Sequence, residues 1–151
     1  MEFNLVPMQA SAAERIANWH YDPPYDFYDL DADLEDYAAF MNPVNWEDKY
    51  AVEDGDGILV GFFEFSPQNQ IVEIGLGMHP DRTGQGLGQR FIETGLEYAH
   101  KEYDADIFEL AIATFNERAI SVYDDLGFER VEKYWQKTNG EEYEFLRMRR
   151  E

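Results

Sequence analysis

One stretch, Ile71 to Lys101 (IVEIGLGMHPDRTGQGLGQRFIETGLEYAHK), restricts the folds open to this chain more than any other. Ile71 to Met78 is apolar enough along its length for a largely buried strand. Pro80 then breaks the ladder, since it has no N–H to donate. Gly84, Gly86 and Gly88 follow on alternate positions. After them Leu87, Phe91, Gly95, Leu96 and Ala99 recur at helical spacing, with Gln89, Arg90, Glu93, Glu97 and Lys101 mainly on the other side. The pattern predicts a strand, a glycine turn and an amphipathic helix. Residues without side chains at the start of a helix let a ligand approach the main chain. The first N–H groups of the helix have no partners within it and carry the positive end of its dipole. Together these features make a candidate phosphate or pyrophosphate site.

Neither familiar nucleotide motif fits. A P-loop requires GxxxxGK[ST], and no Lys-Ser/Thr follows these glycines; the dinucleotide fingerprint GxGxxG fails at Phe91. Two blocks instead resemble the GNAT family of acetyl-CoA-dependent N-acetyltransferases. Thr83-Gly84-Gln85-Gly86-Leu87-Gly88 matches that family's Q/R-x-x-G-x-G/A motif, departing at Thr83 and with Arg82 one step earlier. Leu110 to Asn116, then Ala119-Ile120-Ser121-Val122-Tyr123 and Leu126-Gly127-Phe128, matches its strand, Asn, Tyr-bearing helix and LGF signature. The resemblance covers residues 50–150 well and the first fifty in outline.

The resemblance implies an α/β acyl-CoA N-acyltransferase fold, with a central mixed sheet of roughly six or seven strands and helices on both faces. It implies acetyl-CoA as the cofactor. The main chain of Thr83, Gly84, Gln85, Gly86, Leu87 and Gly88 would take its pyrophosphate. The main chain of Leu76, Gly77 and Met78, on a strand that splays from its neighbour, would pair with pantetheine, with the Met78 N–H as oxyanion donor. Asn116 would hydrogen-bond the pantetheine arm, besides capping its helix. Tyr123 would lie beside the coenzyme sulfur.

At 151 residues the chain is expected to form one domain, 1–151. Hydrophobic content of 44% with 16% aromatics indicates a packed core. The lack of cysteine excludes disulfides and thiolate nucleophiles, and three histidines with no clustering give no reason to expect a metal. MEFNLVPMQA has neither the basic region nor the apolar run of a signal peptide, so a cytoplasmic location is the expectation. A formal charge of −20 disfavours nucleic acid and membrane partners and attracts cations. Because coenzyme A is an anion, its site needs local positive charge, for which Arg82, Arg90 and Lys101 are the candidates. A homodimer is left open.

Periodicity and turn signals give the order β-α-α-β-β-β-α-β-α-β-β. Ser11 with Glu14 reads as a capping box for the first helix. Leu34, Tyr37, Ala38 and Met41 read as the inner face of the second. Asp54-Gly55-Asp56-Gly57 and Asn139-Gly140-Glu141 are hairpin signals. Between the first two helices, Trp19 to Asp29 alternates aromatics and aspartates around Pro23 and Pro24. Aromatic faces with carboxylates suit an ammonium group. The resemblance makes this loop part of an acceptor pocket, with Tyr25 and Tyr28 as candidate substrate contacts; the alternative is rings packed on the core.

Attack of an amine on a thioester requires loss of a proton from a group of pKa ~10.4, stabilisation of the carbonyl oxygen and protonation of the leaving thiolate. Tyr123 is the candidate proton donor. Glu73, in line with Gly75 and Gly77 on one face of its strand, is the candidate general base, directly or through water. Glu109 is the alternative, and His79 beside Pro80 reads as a loop residue. The expected function is direct acetyl transfer to a primary amine of a small molecule. A protein or peptide acceptor, or a non-catalytic acyl-CoA sensor, remains the alternative.

Overall fold

The structure, a computed structural model, describes residues 2–151. Its strands are β1 (Phe3–Pro7), β2 (Lys49–Asp54), β3 (Leu59–Gln68), β4 (Ile71–Met78), β5 (Ile107–Ala113), β6 (Glu129–Thr138) and β7 (Glu141–Arg150). Its α-helices are α1 (Ala10–Ala17), α2 (Leu34–Met41), α3 (Gly88–Tyr103) and α4 (Glu117–Asp125). The strands form one mixed seven-stranded sheet in the order β1-β2-β3-β4-β5-β7-β6. The predicted element order is reproduced. β4 pairs parallel with β5, which the α3 crossover requires, whereas β5–β7 and β6–β7 are antiparallel.

The chain divides into two compact units, a division that runs through β3 and β4. The first comprises the residues up to Glu64 together with Leu76–Leu87. Its core gathers Met8, Ile16, Trp19, Phe40, Ala51 and Leu59. Burying a side chain of the size of Ile16 or Phe40 contributes roughly 1.5–3 kcal/mol. The second comprises Phe65–Gly75 with Gly88–Glu151. There Phe91 and Leu96 of α3, Leu110 and Ile112 of β5, and Leu146 and Met148 of β7 are buried, in step with the helical and alternating periods of their elements.

Two local expectations are corrected. α1 starts one residue before Ser11, with Gln9 at its cap and no side-chain cap bond, so the Ser11–Glu14 box does not form. On α2, Phe40 is buried with Tyr37 and Met41 beside it, whereas Leu34 is 84% exposed. Asp33 caps this helix by accepting from the Glu35 and Asp36 N–H groups, so Leu34 is its first residue, at the end of the face that Tyr37 and Met41 continue. The hairpin signals hold. Asn139 and Gly140 both have positive φ (51° and 79°), as a two-residue turn of this kind demands.

Candidate active site

In the first unit, β4 runs into a short turn, Pro80–Arg82, and then the glycine loop. Gly84 and Gly86 have φ of 73° and 75°, a region other residues enter only under strain. The side chains around them brace the turn: Thr83 Oγ1 donates to the Pro80 carbonyl at 2.9 Å and Gln85 Nε2 to the Asp81 carbonyl at 2.6 Å. That bond gives Thr83 a structural role where the family usually has a longer polar residue. Gly77 has a steric reason to be glycine. A Cβ there would lie 3.0 Å from Phe62 Cζ and closer still to Cε1, so the ring of β3 occupies the space. Any ligand approaching Gly77 must therefore use its main chain.

The charges divide differently from expectation. Arg82 reaches the carboxylate of Asp54 at 3.5 Å. Asp54 accepts from the Ile58 and Asp56 N–H groups, and these bonds, with Arg82, hold its carboxyl below the usual range. The cation of Arg82 is thus partly compensated. Lys101 lies in the last turn of α3, about 20 Å along the helix from Gly88 at roughly 1.5 Å per residue, so it cannot serve a ligand at the helix start. Arg90, exposed in the first turn, remains placed for that role.

The Trp19–Asp29 loop is anchored to the end of β4 by residues that the sequence did not single out. The Tyr21 hydroxyl donates to the Met78 carbonyl at 2.6 Å, and burial pushes its pKa well up. Trp19 sits edge-on to the His79 ring with centroids 5.0 Å apart. His79 accepts from the Asp81 N–H, which makes it a turn residue as expected. The Tyr21 N–H donates to Asp29 Oδ1 at 2.9 Å, closing the base of the loop. Tyr25 and Tyr28 lie on a 3-10 turn within it, Tyr25 half-buried and Tyr28 exposed with its ring edge-on to Phe27. Beside the anchor, His20 bonds Asp31 Oδ2 at 2.6 Å, and His20, Asp29 and Asp31 offer polar atoms within 4.8 Å of one another. Nothing in the order of residue types separates Tyr21 from the other tyrosines of the loop.

In the second unit, α3 begins at Gly88 with no acidic residue in its first turn. A Cβ on Gly88 would meet Val122 of α4 at 3.8 Å, an ordinary contact, so α3 starts next to the helix that carries Tyr123. Asn116 is 9% exposed and caps α4, its Oδ1 accepting from the Ala119 N–H at 3.1 Å. Tyr123 is 6% exposed, with its ring edge-on to Phe128. Asn116 and Tyr123 are nearly two helical turns apart and so lie on one side of α4. Glu73 is exposed on β4 opposite Glu109 on β5, in a parallel register that runs from Ile71 to Glu73. Glu109 is held by Arg149, whose Nε donates at 2.8 Å, and stands 4.0 Å from Arg147. Glu109 is thus engaged by guanidinium groups, whereas Glu73 is exposed.

Comparison with known proteins gives a consistent family assignment. The profile of the Acetyltransferase (GNAT) family matches residues 12–128. The spermidine N(1)-acetyltransferase of Vibrio cholerae is 26% identical over 116 residues, covering 75% of this chain and 65% of that protein. The match thus spans less than two thirds of the relative's length. Among solved structures, the spermidine N-acetyltransferase from Vibrio cholerae in complex with CoA and spermine superposes with a TM-score of 0.78 at 19% identity, over 97% of this chain and 94% of that one. A GNAT-family acetyltransferase from Bacillus anthracis gives 0.73 at 18% identity, over 99% and 94%. At these identities the structural likeness establishes the fold.

Proposed function

The chain belongs to the GNAT family of acetyltransferases, and from that premise we propose that it transfers an acetyl group directly from acetyl-coenzyme A to a primary amine of a small polycation. The observation that carries the reading is the glycine turn. Two left-handed glycines lead the main chain into a helix whose first turn is free of acidic side chains. In this reading the amides of Thr83–Gly88 hold the diphosphate and the main chain of Leu76–Met78 aligns the pantetheine arm. Asn116, already ordered by its capping bond, meets the same arm. Coenzyme A supplies the activated acetyl thioester. The Met78 N–H stabilises the carbonyl oxygen as charge builds on it. Glu73 accepts the amine proton, directly or through water, and the Tyr123 hydroxyl protonates the departing thiolate.

Chemistry and kinship both support a polyamine acceptor. The relative most informative about substrate acts on spermidine, and a chain of net charge −20 concentrates polycations around itself. Asp29 and Asp31, beside the aromatic turn at Tyr25 and Tyr28, give the loop the groups that an ammonium prefers. Thiol release from acetyl-CoA, measured with spermidine, spermine, aminoglycosides, simple amines and short peptides, tests the reading. We expect the polyamines to be preferred and the preference to fade with added salt. Tyr123→Phe should keep coenzyme A binding by calorimetry and lose about 10²- to 10⁴-fold in kcat. Coenzyme binding with no acceptor-dependent thiol release would identify a sensor, and preference for peptides a protein-modifying enzyme.

A further inference from the structure

We propose that Tyr21 is a positioning residue for acetyl transfer: its hydroxyl, by clamping the Met78 carbonyl, keeps the Met78 N–H aimed at the acyl oxygen. The proposal rests on the reading above, in which that N–H is the oxyanion donor. In an extended strand, neighbouring residues turn their main-chain N–H and carbonyl groups to opposite edges. The His79 N–H donates to the Val60 carbonyl of β3 at 2.8 Å. The N–H and the carbonyl of Met78 therefore both face away from β3. The Tyr21 hydroxyl takes the carbonyl of that pair at 2.6 Å and makes no demand on the N–H.

This N–H needs a restraint from outside its own strand. It belongs to the peptide joining Gly77 to Met78, and a residue without a side chain does little to hold that peptide against rotation. Contact between Gly77 and the Phe62 ring limits where the Cα lies, not how the peptide turns. The next peptide, Met78 to His79, supplies the restraint because it is bonded at both ends: Tyr21 donates to its carbonyl, and its N–H donates to Val60. Two hydrogen bonds in series through one peptide group polarise it and strengthen each other. Tyr21 is itself held, since its N–H donates to Asp29 Oδ1 at 2.9 Å. Burial of its hydroxyl, with the nearby charge of Asp29, raises its pKa, so the group stays protonated and acts as a donor.

Infrared difference spectra of the full chain with acetyl-CoA, isotopically labelled at the thioester carbonyl, test this beside steady-state kinetics with spermidine; the infrared readout needs no acceptor. We expect the carbonyl band of the bound thioester to lie below its position in free acetyl-CoA, and to move back toward that position in Tyr21→Phe. Assayed well below its unfolding temperature, the same variant should lose about 10- to 10²-fold in kcat, short of the roughly 10²- to 10³-fold that deleting an oxyanion donor costs. KM for acetyl-CoA and coenzyme A affinity by calorimetry should change little. Incorporating 3-fluorotyrosine at position 21, which keeps the hydroxyl, should restore both the band and kcat. A residue that only braced the loop would lower the unfolding midpoint and leave the band and kcat in place. A band unmoved in Tyr21→Phe, a loss confined to KM, or no recovery with 3-fluorotyrosine overturns the proposal and leaves the Met78 assignment standing. A parent band that coincides with free acetyl-CoA refutes the Met78 donor itself, and the role of Tyr21 falls with it.

Discussion

Gly77→Ala separates two explanations for a glycine on the strand proposed to carry the acyl group. The main chain at Gly77 is not left-handed, so alanine is sterically allowed there, and loss of freedom in the unfolded chain favours the variant by about 0.4–1 kcal/mol. Against this stands the new methyl group, 3.0 Å from Phe62 Cζ and 3.3 Å from Cδ1. The ring has little room to yield, because it sits edge-on to Phe40 with centroids 5.4 Å apart, and Phe40 is 2% exposed. Overpacking of this kind costs about 1–3 kcal/mol, so the net loss should be about 1–2 kcal/mol. In a chain of this length that lowers Tm by about 2–8 °C. The assay is urea unfolding of Gly77→Ala, Phe62→Leu and the double variant. Trimming the ring removes the overlap, so the double variant should be more stable than additivity predicts by about 1 kcal/mol or more. Additive effects, or unchanged stability with loss of coenzyme A binding, would refute the packing argument and return Gly77 to the ligand.

Further substitutions probe the other contacts. Tyr21→Phe leaves the Met78 carbonyl without its donor and should cost about 1–3 kcal/mol in chemical unfolding. Asn116→Ala removes the α4 cap and should cost about 0.5–2 kcal/mol; Asn116→Asp, which keeps the acceptor, should recover most of it. The hydrogen bond and charge of Asp31 raise the pKa of His20 above its ordinary 6.5. The folded state therefore binds the proton more tightly than the unfolded one. The stabilisation is complete below pH 6.5 and is lost as pH climbs through the raised value. NMR titration of the imidazole should show that value falling in Asp31→Asn.

The sequence disclosed most about elements whose signals are local and periodic. β4 and α3 were readable because apolar spacing changes from strand to helix across three glycines, and the Asn116 cap and the Asn139-Gly140 hairpin because few residues suit those main-chain conformations. On α2, Leu34 fits the helical period as well as Tyr37 and Met41 do, but it is the first residue of the helix, and a period does not show which end of a face leaves the core. Gly77 and Tyr21 were opaque for a different reason. Each is explained by a residue distant in sequence, Phe62 for the one and Met78 for the other, and no local pattern announces a long-range contact. Lys101 was miscounted as a ligand-facing cation because spacing along a sequence does not display the length of a helix.

The bond from the Tyr21 N–H to Asp29 pins residues 22–28 at their base, while the Tyr21 hydroxyl ties that base to the end of β4. The segment 22–28 is thereby a replaceable cassette. Its length and side chains can be exchanged, during divergence or by engineering, without disturbing the end of β4. On the proposed reading, acceptor preference can then change without altering the transfer chemistry, provided that Tyr21 and Asp29 stay.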